Sequence, residues 1–231
     1  MTPAVNSPKS TFMKKLRLSR KLLLPVLLAT AVCIGQPAMK RLHKSQTDTS
    51  GLKRGDVIFQ VNEMGQGRAI QLATHSKYTH CGMIWSDEGK LFVWEAGPVV
   101  MITPLDDFIK RGKNSHYVVK RLKGRDTLLS AELENSMKTL FYRTFYNKPY
   151  DLYFGWNDEK IYCSELVWKI YSRTTGLEVG KTEKLRDCDL SHPVVKMKLK
   201  ERYGNDIPFD ETVISPADIF NSELLETVST N

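Results

Sequence analysis

Tyr162-Cys163-Ser164-Glu165-Leu166-Val167-Trp168 sets a cysteine where a helix should begin. Three, four, seven and eight residues beyond Cys163 stand Leu166, Val167, Ile170 and Tyr171, an apolar stripe at helical spacing. That stripe is the core-facing side of the helix, so the thiol points inward along the same face. At a helix N-terminus the macrodipole and the unpaired N–H groups favour a thiolate. A thiolate beside a base is an activated nucleophile. A plain buried cysteine satisfies the same pattern, so the reading turns on whether a base is brought to Cys163.

The base is sought upstream. Thr79 to Trp85 and Leu91 to Glu95 read as two strands, and Ser86-Asp87-Glu88-Gly89 between them is turn chemistry. With a four-residue loop, Trp85 faces Lys90, Gly82 faces Val93 and His80 faces Glu95. One face then carries His80, Gly82 and Ile84 against Glu95, Val93 and Leu91. The other carries Cys81, Met83 and Trp85 against Trp94, Phe92 and Lys90. Directly opposed residues have Cβ atoms roughly 5 Å apart. The register therefore brings a carboxylate to an imidazole, the partner that fixes a catalytic histidine's tautomer and stabilises its positive form. A slip of one residue would separate the two. Cys81 points away from His80 and reads as structural. His75, in a loop nearby, is the competing base; His43, His116 and His192 have no carboxylate placed by a comparable argument.

Around these two stretches the chain reads as strands first and helices later, an α+β domain with an antiparallel sheet packed against helices. Val57 to Val61 is a buried strand after the turn at Gly55-Asp56, and Gln66 to Ala73 a short helix. Val99 to Thr103 and His116 to Leu122 are further strands, with a helix from Pro104 to Arg111 between them. Leu128 to Tyr146 has apolar residues at helical spacing and is read as one long helix. The Cys163 helix ends before Gly176. Shorter helices follow from Pro193 and at Ser215-Pro216.

Charge and composition narrow the function. The formal charge is +8, but residues 1–35 hold six basic side chains and no acidic one, and from residue 36 the balance is 28 basic to 26 acidic. The basic excess therefore belongs mainly to the N-terminus. No basic face interleaved with aromatics is present to hold a phosphate backbone, so nucleic acid is not an expected partner. Basic residues from Lys14 to Lys21, an apolar run from Leu22 to Ile34 and small residues at Gly35 and Ala38 follow the order of a secretory signal. Residues 1–38 are thus expected to be a signal peptide or an N-terminal anchor, which gives membrane proximity, and the protein is expected in the periplasm or cell envelope. Residues 39–51 read as a linker, 52–222 as the domain and 223–231 as a C-terminal tail. Export would place Cys81, Cys163 and Cys188 in an oxidising compartment. A Cys81–Cys188 disulfide is conceivable, but nothing in the spacing supports it. No Cys-x-x-Cys or His-x-x-x-His spacing occurs and no phosphate loop is present, so neither a metal nor a cofactor is expected.

Five segments together resemble a known family. They are Leu52-Lys53-Arg54-Gly55-Asp56-Val57-Ile58-Phe59, Thr79-His80-Cys81-Gly82-Met83-Ile84, Trp94-Glu95-Ala96, Pro149-Tyr150-Asp151 and Tyr162-Cys163-Ser164-Glu165-Leu166-Val167. They look like the YiiX/YebB-like proteins, the circularly permuted branch of the NlpC-type papain-like cysteine hydrolases. The order histidine, carboxylate, cysteine is the permuted signature. The resemblance covers roughly Leu52 to Phe220 and implies a papain-like fold with Cys163 as nucleophile, His80 as base and Glu95 as orienter. Tyr150 is similar in placement to a tyrosine that supports the oxyanion site in non-permuted relatives. The implied substrate is a peptide, a peptidoglycan-derived compound or a lipid. The implied activity is that of a peptidase or amidase, with a lipid hydrolase or acyltransferase and a non-catalytic binding module as alternatives.

Overall fold

The computed structural model of the chain describes residues 49–62 and 65–231. The expected signal or anchor, 1–38, and all but the end of the linker, 39–51, lie outside the described residues. Among the described residues no helix is long and apolar enough to cross a membrane.

Six strands build one antiparallel sheet. They are β1 (Val57–Gln60), β2 (His80–Asp87), β3 (Lys90–Ala96), β4 (Val100–Pro104), β5 (Tyr117–Leu122) and β8 (Leu225–Thr230), in the order β4-β3-β2-β1-β5-β8. β1 is central and buried along its whole length, as its unbroken Val-Ile-Phe run requires. The turn that leads into it is pinned by Asp56, fully buried, whose two carboxylate oxygens take a fork of bonds from Arg121 at 2.7 and 2.6 Å.

Helices cover both faces. Val57, Phe59, Cys81, Met83, Trp85 and Trp94 point to the side of α5 (Cys163–Thr175), which packs on β2 and against α4 (Ala131–Leu140). Ile58, Ile84 and Val93 point to the opposite side, where α2 (Leu105–Arg111) supplies Leu105, Phe108 and Ile109. A third, smaller core lies between α1 (Gly67–Thr74) and α6 (Pro193–Tyr203). It includes Ala69, Leu185, Val195, Leu199 and Val213, the last from a two-stranded ribbon of β6 (Glu183–Lys184) and β7 (Thr212–Val213). A short helix, α7 (Pro216–Phe220), begins at a Ser215–Asp218 capping box.

Three expectations change. The β2–β3 loop has two residues, not four: Asp87 pairs with Lys90, and Glu88 and Gly89 turn the chain with φ of 47° and 75°, the two positive values of a type I′ turn. The register moves by two residues, so every side chain keeps its face; Ile84 now faces Val93 and Met83 faces Trp94. The expected long helix from Leu128 to Tyr146 is broken. A single turn, α3 (Arg125–Leu128), ends at Leu129 with ψ 83°, Ser130 caps α4, and the chain leaves α4 through a π-helical turn at Phe141–Phe145. The expected tail, 223–231, is instead the outermost strand: β8 runs along β5, with Leu225 buried beside Leu122. Only Leu225 of that strand is fully buried, which is why no alternating apolar signal announced it.

Candidate active site

Cys163 is the first residue of α5, and Tyr162 before it closes a capping box in which the Glu165 carboxylate accepts the Tyr162 N–H at 3.3 Å. The helix is held on the sheet by Leu166, Val167, Ile170 and Tyr171, all buried, so the predicted stripe fixes where the sulfur points. β2 and the loop before α5 bring residues toward it. His80 opens β2, and its imidazole lies near enough to the Cys163 sulfur for each to shift the other's ionisation. Cys81, the next residue of β2, is buried in the same core cluster as Cys163. Tyr150, in the loop before α5, lines the same cavity wall as Cys163.

Glu95 stands behind His80, fully buried, with Oε2 2.7 Å from His80 Nε2. Nδ1 is then the ring nitrogen left for the sulfur. Glu95 Oε1 accepts from Thr103 Oγ1 at 2.5 Å and from the Arg111 guanidinium. The ring also stacks on Phe108, centroids 5.5 Å apart. Gly82 makes the diagonal His80–Glu95 contact workable: a Cβ there would lie 2.4 Å from Val93 Cγ1 and 3.3 Å from Glu95 Cβ, where the carboxylate arm passes.

The electrostatics follow from this packing. The Cys163 thiol is held well below its usual range, first by the Cys81 hydrogen bond and then, against the effect of burial, by the His80 bond and charge. Burial alone would lower His80, but the bond and negative charge of Cys163, with those of Glu95, raise it to about 9. Glu95 is pushed down: burial opposes ionisation, and the His80 bond and charge, Thr103 and Arg111 outweigh it. All three shifts run toward the charged form of their group.

The site opens on one cavity. Cys163 and Tyr150 lie in its wall, which continues as Ala69, Ile70, Phe154, Leu185, Val195 and Leu199 and is almost wholly apolar. It holds about 750 Å³ of empty space, the part open to solvent included. Gln66 and Arg202 stand at the Tyr150 side. Gln66 Nε2 donates to Tyr150 Oη at 2.8 Å, and Arg202 donates to Gln66 Oε1 at 2.5 Å.

The structure therefore brings together all four residues singled out in the sequence: Cys163, His80, Glu95 and Tyr150. His75, the competing base, sits instead on the surface, paired with Asp189 at 3.0 Å. Cys188 gives its S–H to Glu183 at 3.2 Å, and it and Cys81 are free thiols. Cys81 faces away from Glu95, as expected, and is fully buried in the core on the face of the sheet that α5 covers. Sequence reasoning missed Arg111 and Thr103. The register would have placed Thr103 beside Val93 had β4 been paired with β3; no spacing announces Arg111, which comes from the end of α2.

The chain's relatives agree with this architecture. The model of the permuted papain-like amidase enzymes, YaeF/YiiX, C92 family, matches residues 51–229. An uncharacterized protein YiiX of Escherichia coli (strain K12) is 45% identical over 175 residues, 76% of this chain and 85% of that protein. A crystal structure from Escherichia coli O157:H7, of a protein described as the metalloprotein YiiX, matches with a TM-score of 0.73 and 45% identity, covering 78% of this chain and 97% of the other. Among the described residues of the present chain, no group of three or more His, Cys, Asp or Glu side chains is arranged to hold a metal ion. Those residues do not fit a bound metal. With a six-stranded antiparallel sheet, helices on both faces and a histidine that precedes its cysteine in the chain, this protein belongs to the permuted papain-like amidase family of YaeF and YiiX.

Proposed function

We propose that this protein hydrolyses an amide or ester bond through a thioester on Cys163, with an apolar acyl group seated in the adjoining cavity. The observation that carries the reading is Cys163 at the start of α5 and in the wall of an apolar cavity, with the buried His80–Glu95 pair near it.

In this reading the Cys163 thiolate attacks the carbonyl carbon, and the carbonyl oxygen takes up negative charge. The N–H groups at the start of α5 and the Tyr150 hydroxyl are the donors within reach of that oxygen. His80 gives its Nδ1 proton to the leaving amine or alcohol as the bond to carbon breaks. Water then enters, His80 takes one of its protons, and the hydroxide attacks the thioester and releases the acid. Glu95 keeps Nε2 protonated throughout, so the other nitrogen handles the transferred proton.

The lining favours a long acyl chain or a large apolar side chain on the acyl side of the scissile bond. The second reading, a peptide or peptidoglycan-derived amide, rests on the family's amidase character. The order of basic, apolar and small residues in 1–38 argues for an envelope enzyme, where both substrate kinds occur.

The test is to trap the acyl-enzyme. Wild type and Cys163→Ala are mixed with amides and esters of short and long acyl chains and with muropeptides, quenched in acid, and weighed. The reading expects an acyl adduct on Cys163, built up faster with long chains and absent in Cys163→Ala. Adducts from muropeptides alone would move the assignment to the second reading. Binding by both proteins without any adduct would leave a binding module.

A further inference from the structure

Tyr150 is joined to two side chains that the proposed mechanism leaves unused, and their chemistry fixes the direction of its proton. Gln66 stands at the N-cap of α1, but its side chain makes no cap bond to that helix. Instead its Nε2 donates to Tyr150 Oη at 2.8 Å, while its Oε1 takes a bond from Arg202 Nη2 at 2.5 Å. Arg202, in the last turn of α6, also lies over the Phe154 ring, 5.1 Å from its centroid. A guanidinium has donors and no acceptor. The Gln66 oxygen must therefore face Arg202, and the amide N–H₂ must face Tyr150. Tyr150 Oη is then the acceptor of that bond, and its own proton is left for an acceptor elsewhere. The backbone at Tyr150 is pinned: its N–H bonds the Pro98 carbonyl at 3.1 Å, and it bridges to Ile161, shortly before Cys163. Gln66, Tyr150, Phe154, Arg202 and Cys163 all line the same apolar cavity. In a wall with so few polar groups, the acceptor that arrives is the carbonyl of the substrate.

We propose that Gln66 and Arg202 are positioning residues: Arg202 orients the Gln66 amide, and the amide turns the Tyr150 hydroxyl so that it donates to the carbonyl oxygen of the substrate. The inference rests on the reading of Cys163 as nucleophile and adds to it two residues that act only through Tyr150. What they supply is polarity. A chain of donors that starts at a fixed cation strengthens each bond along it. A donor already aimed costs no reorganisation as charge grows on the oxygen.

The experiment inverts that polarity with Gln66→Glu. The carboxylate has the size of the amide and pairs with Arg202 directly, so the fold is kept, but its second oxygen only accepts. The Tyr150 proton then turns to the carboxylate and away from the substrate. The first readout is hydrolysis of p-nitrophenyl octanoate. Tyr150→Phe should lower kcat by about a hundredfold, the order lost with one oxyanion donor, and leave KM within a few-fold. Gln66→Glu should be nearly as slow, yet cost nothing further in the Tyr150→Phe background. Arg202→Met lets the amide flip and should lose on the order of tenfold, which Arg202→Lys, keeping a donor, should largely restore. The second readout is the NMR shift of Tyr150 Cζ in protein carrying labelled tyrosine, assigned by its loss in Tyr150→Phe. Donation to a carboxylate should move it downfield in Gln66→Glu. Gln66→Glu or Arg202→Met at the wild-type kcat, or an equal Gln66→Glu loss in the Tyr150→Phe background, overturns the proposal and leaves the nucleophile reading intact. A Cζ signal that Gln66→Glu leaves in place overturns it whatever the activity. Hydrolysis absent in wild type, or unchanged in Cys163→Ala, sinks the nucleophile reading instead, and the Cζ shift still decides whether the amide directs the Tyr150 proton.

Discussion

Replacing Glu95 by glutamine should be nearly as damaging as removing His80, although the two side chains have the same shape. The reason is the set of donors already on the carboxylate. Oε1 accepts from Thr103 at 2.5 Å and from Arg111, and Oε2 faces His80 Nε2 at 2.7 Å. In the glutamine the oxygen must stay with Thr103 and Arg111, because an amide N–H₂ there would meet two donors. The N–H₂ then faces His80, whose Nε2 must accept. The ring becomes neutral with its proton on Nδ1, the side from which it must take a proton. It loses both its role as base and the positive charge that supports the thiolate. His80 at about 9, against 6.5 for an ordinary histidine, corresponds to about 3 kcal/mol of preference for the charged ring, shared between Cys163 and Glu95. At pH 6 a thiol of ordinary pKa, about 8.5, is ionised to only about one part in 300. Losing the support of the charged ring should therefore slow the reaction by on the order of a hundredfold at most. The assay is Cys163 alkylation at pH 6, in Glu95→Gln, His80→Ala and Glu95→Gln with Thr103→Val and Arg111→Met. The triple variant frees the amide to turn its oxygen toward His80 and should regain part of the rate. A Glu95→Gln protein within a few-fold of wild type, or a triple variant no better than the single one, would refute the tautomer argument.

Other consequences are as direct. In Cys163→Ala the His80 ring loses its largest supporting interaction while burial still works against its charge, so an NMR titration should find it well below the wild-type value of about 9. Gly82→Ala puts a methyl group 2.4 Å from Val93 Cγ1 and 2.9 Å from the Trp94 carbonyl oxygen; urea unfolding should show a loss of about 1–3 kcal/mol, and displacement of Glu95 should slow Cys163 alkylation. Glu165 is raised from 4.5 to about 7, chiefly by burial and only partly relieved by Lys169. A carboxyl raised in the folded state loses stability as pH climbs from 4.5 through 7, by about 3 kcal/mol. Glu165→Gln should therefore gain on wild type in urea titrations between pH 5 and pH 8, and a constant difference would contradict this.

Much of the site was legible because side-chain direction in a strand depends on parity alone. The hairpin loop was misjudged by two residues, yet His80 and Glu95 stayed on one face, since only an odd slip exchanges faces. The Cys163 helix was legible because its stripe is unbroken from Leu166 to Tyr171. What escaped depends on contacts between distant segments. Arg111 reaches Glu95 from the end of α2, and Cys81 is buried with Cys163 only once α5 lies on β2. The break at Leu129 is a local backbone event inside an otherwise continuous helical pattern. The apolar cavity is built from pieces of α1, α6 and β7, none of which carries a periodic signal strong enough to announce a shared wall.

The pairing of β8 with β5 sets an order of events during synthesis. Residues 118–122 find their partners in 225–230, more than a hundred positions later, and the helix that covers Phe59, Met83, Trp85 and Trp94 also belongs to the second half. A nascent chain that has emerged only as far as β5 holds a sheet with one unpaired edge and one bare aromatic face, the two features that invite association with other chains. Contacts so distant in sequence also close slowly. In the proposed mechanism the histidine and its carboxylate are made first and wait for the sulfur, so a fragment ending before α5 would be inert. Hydrolytic capacity arrives only with the segment that shields the sheet, and an incomplete chain is both adhesive and inert.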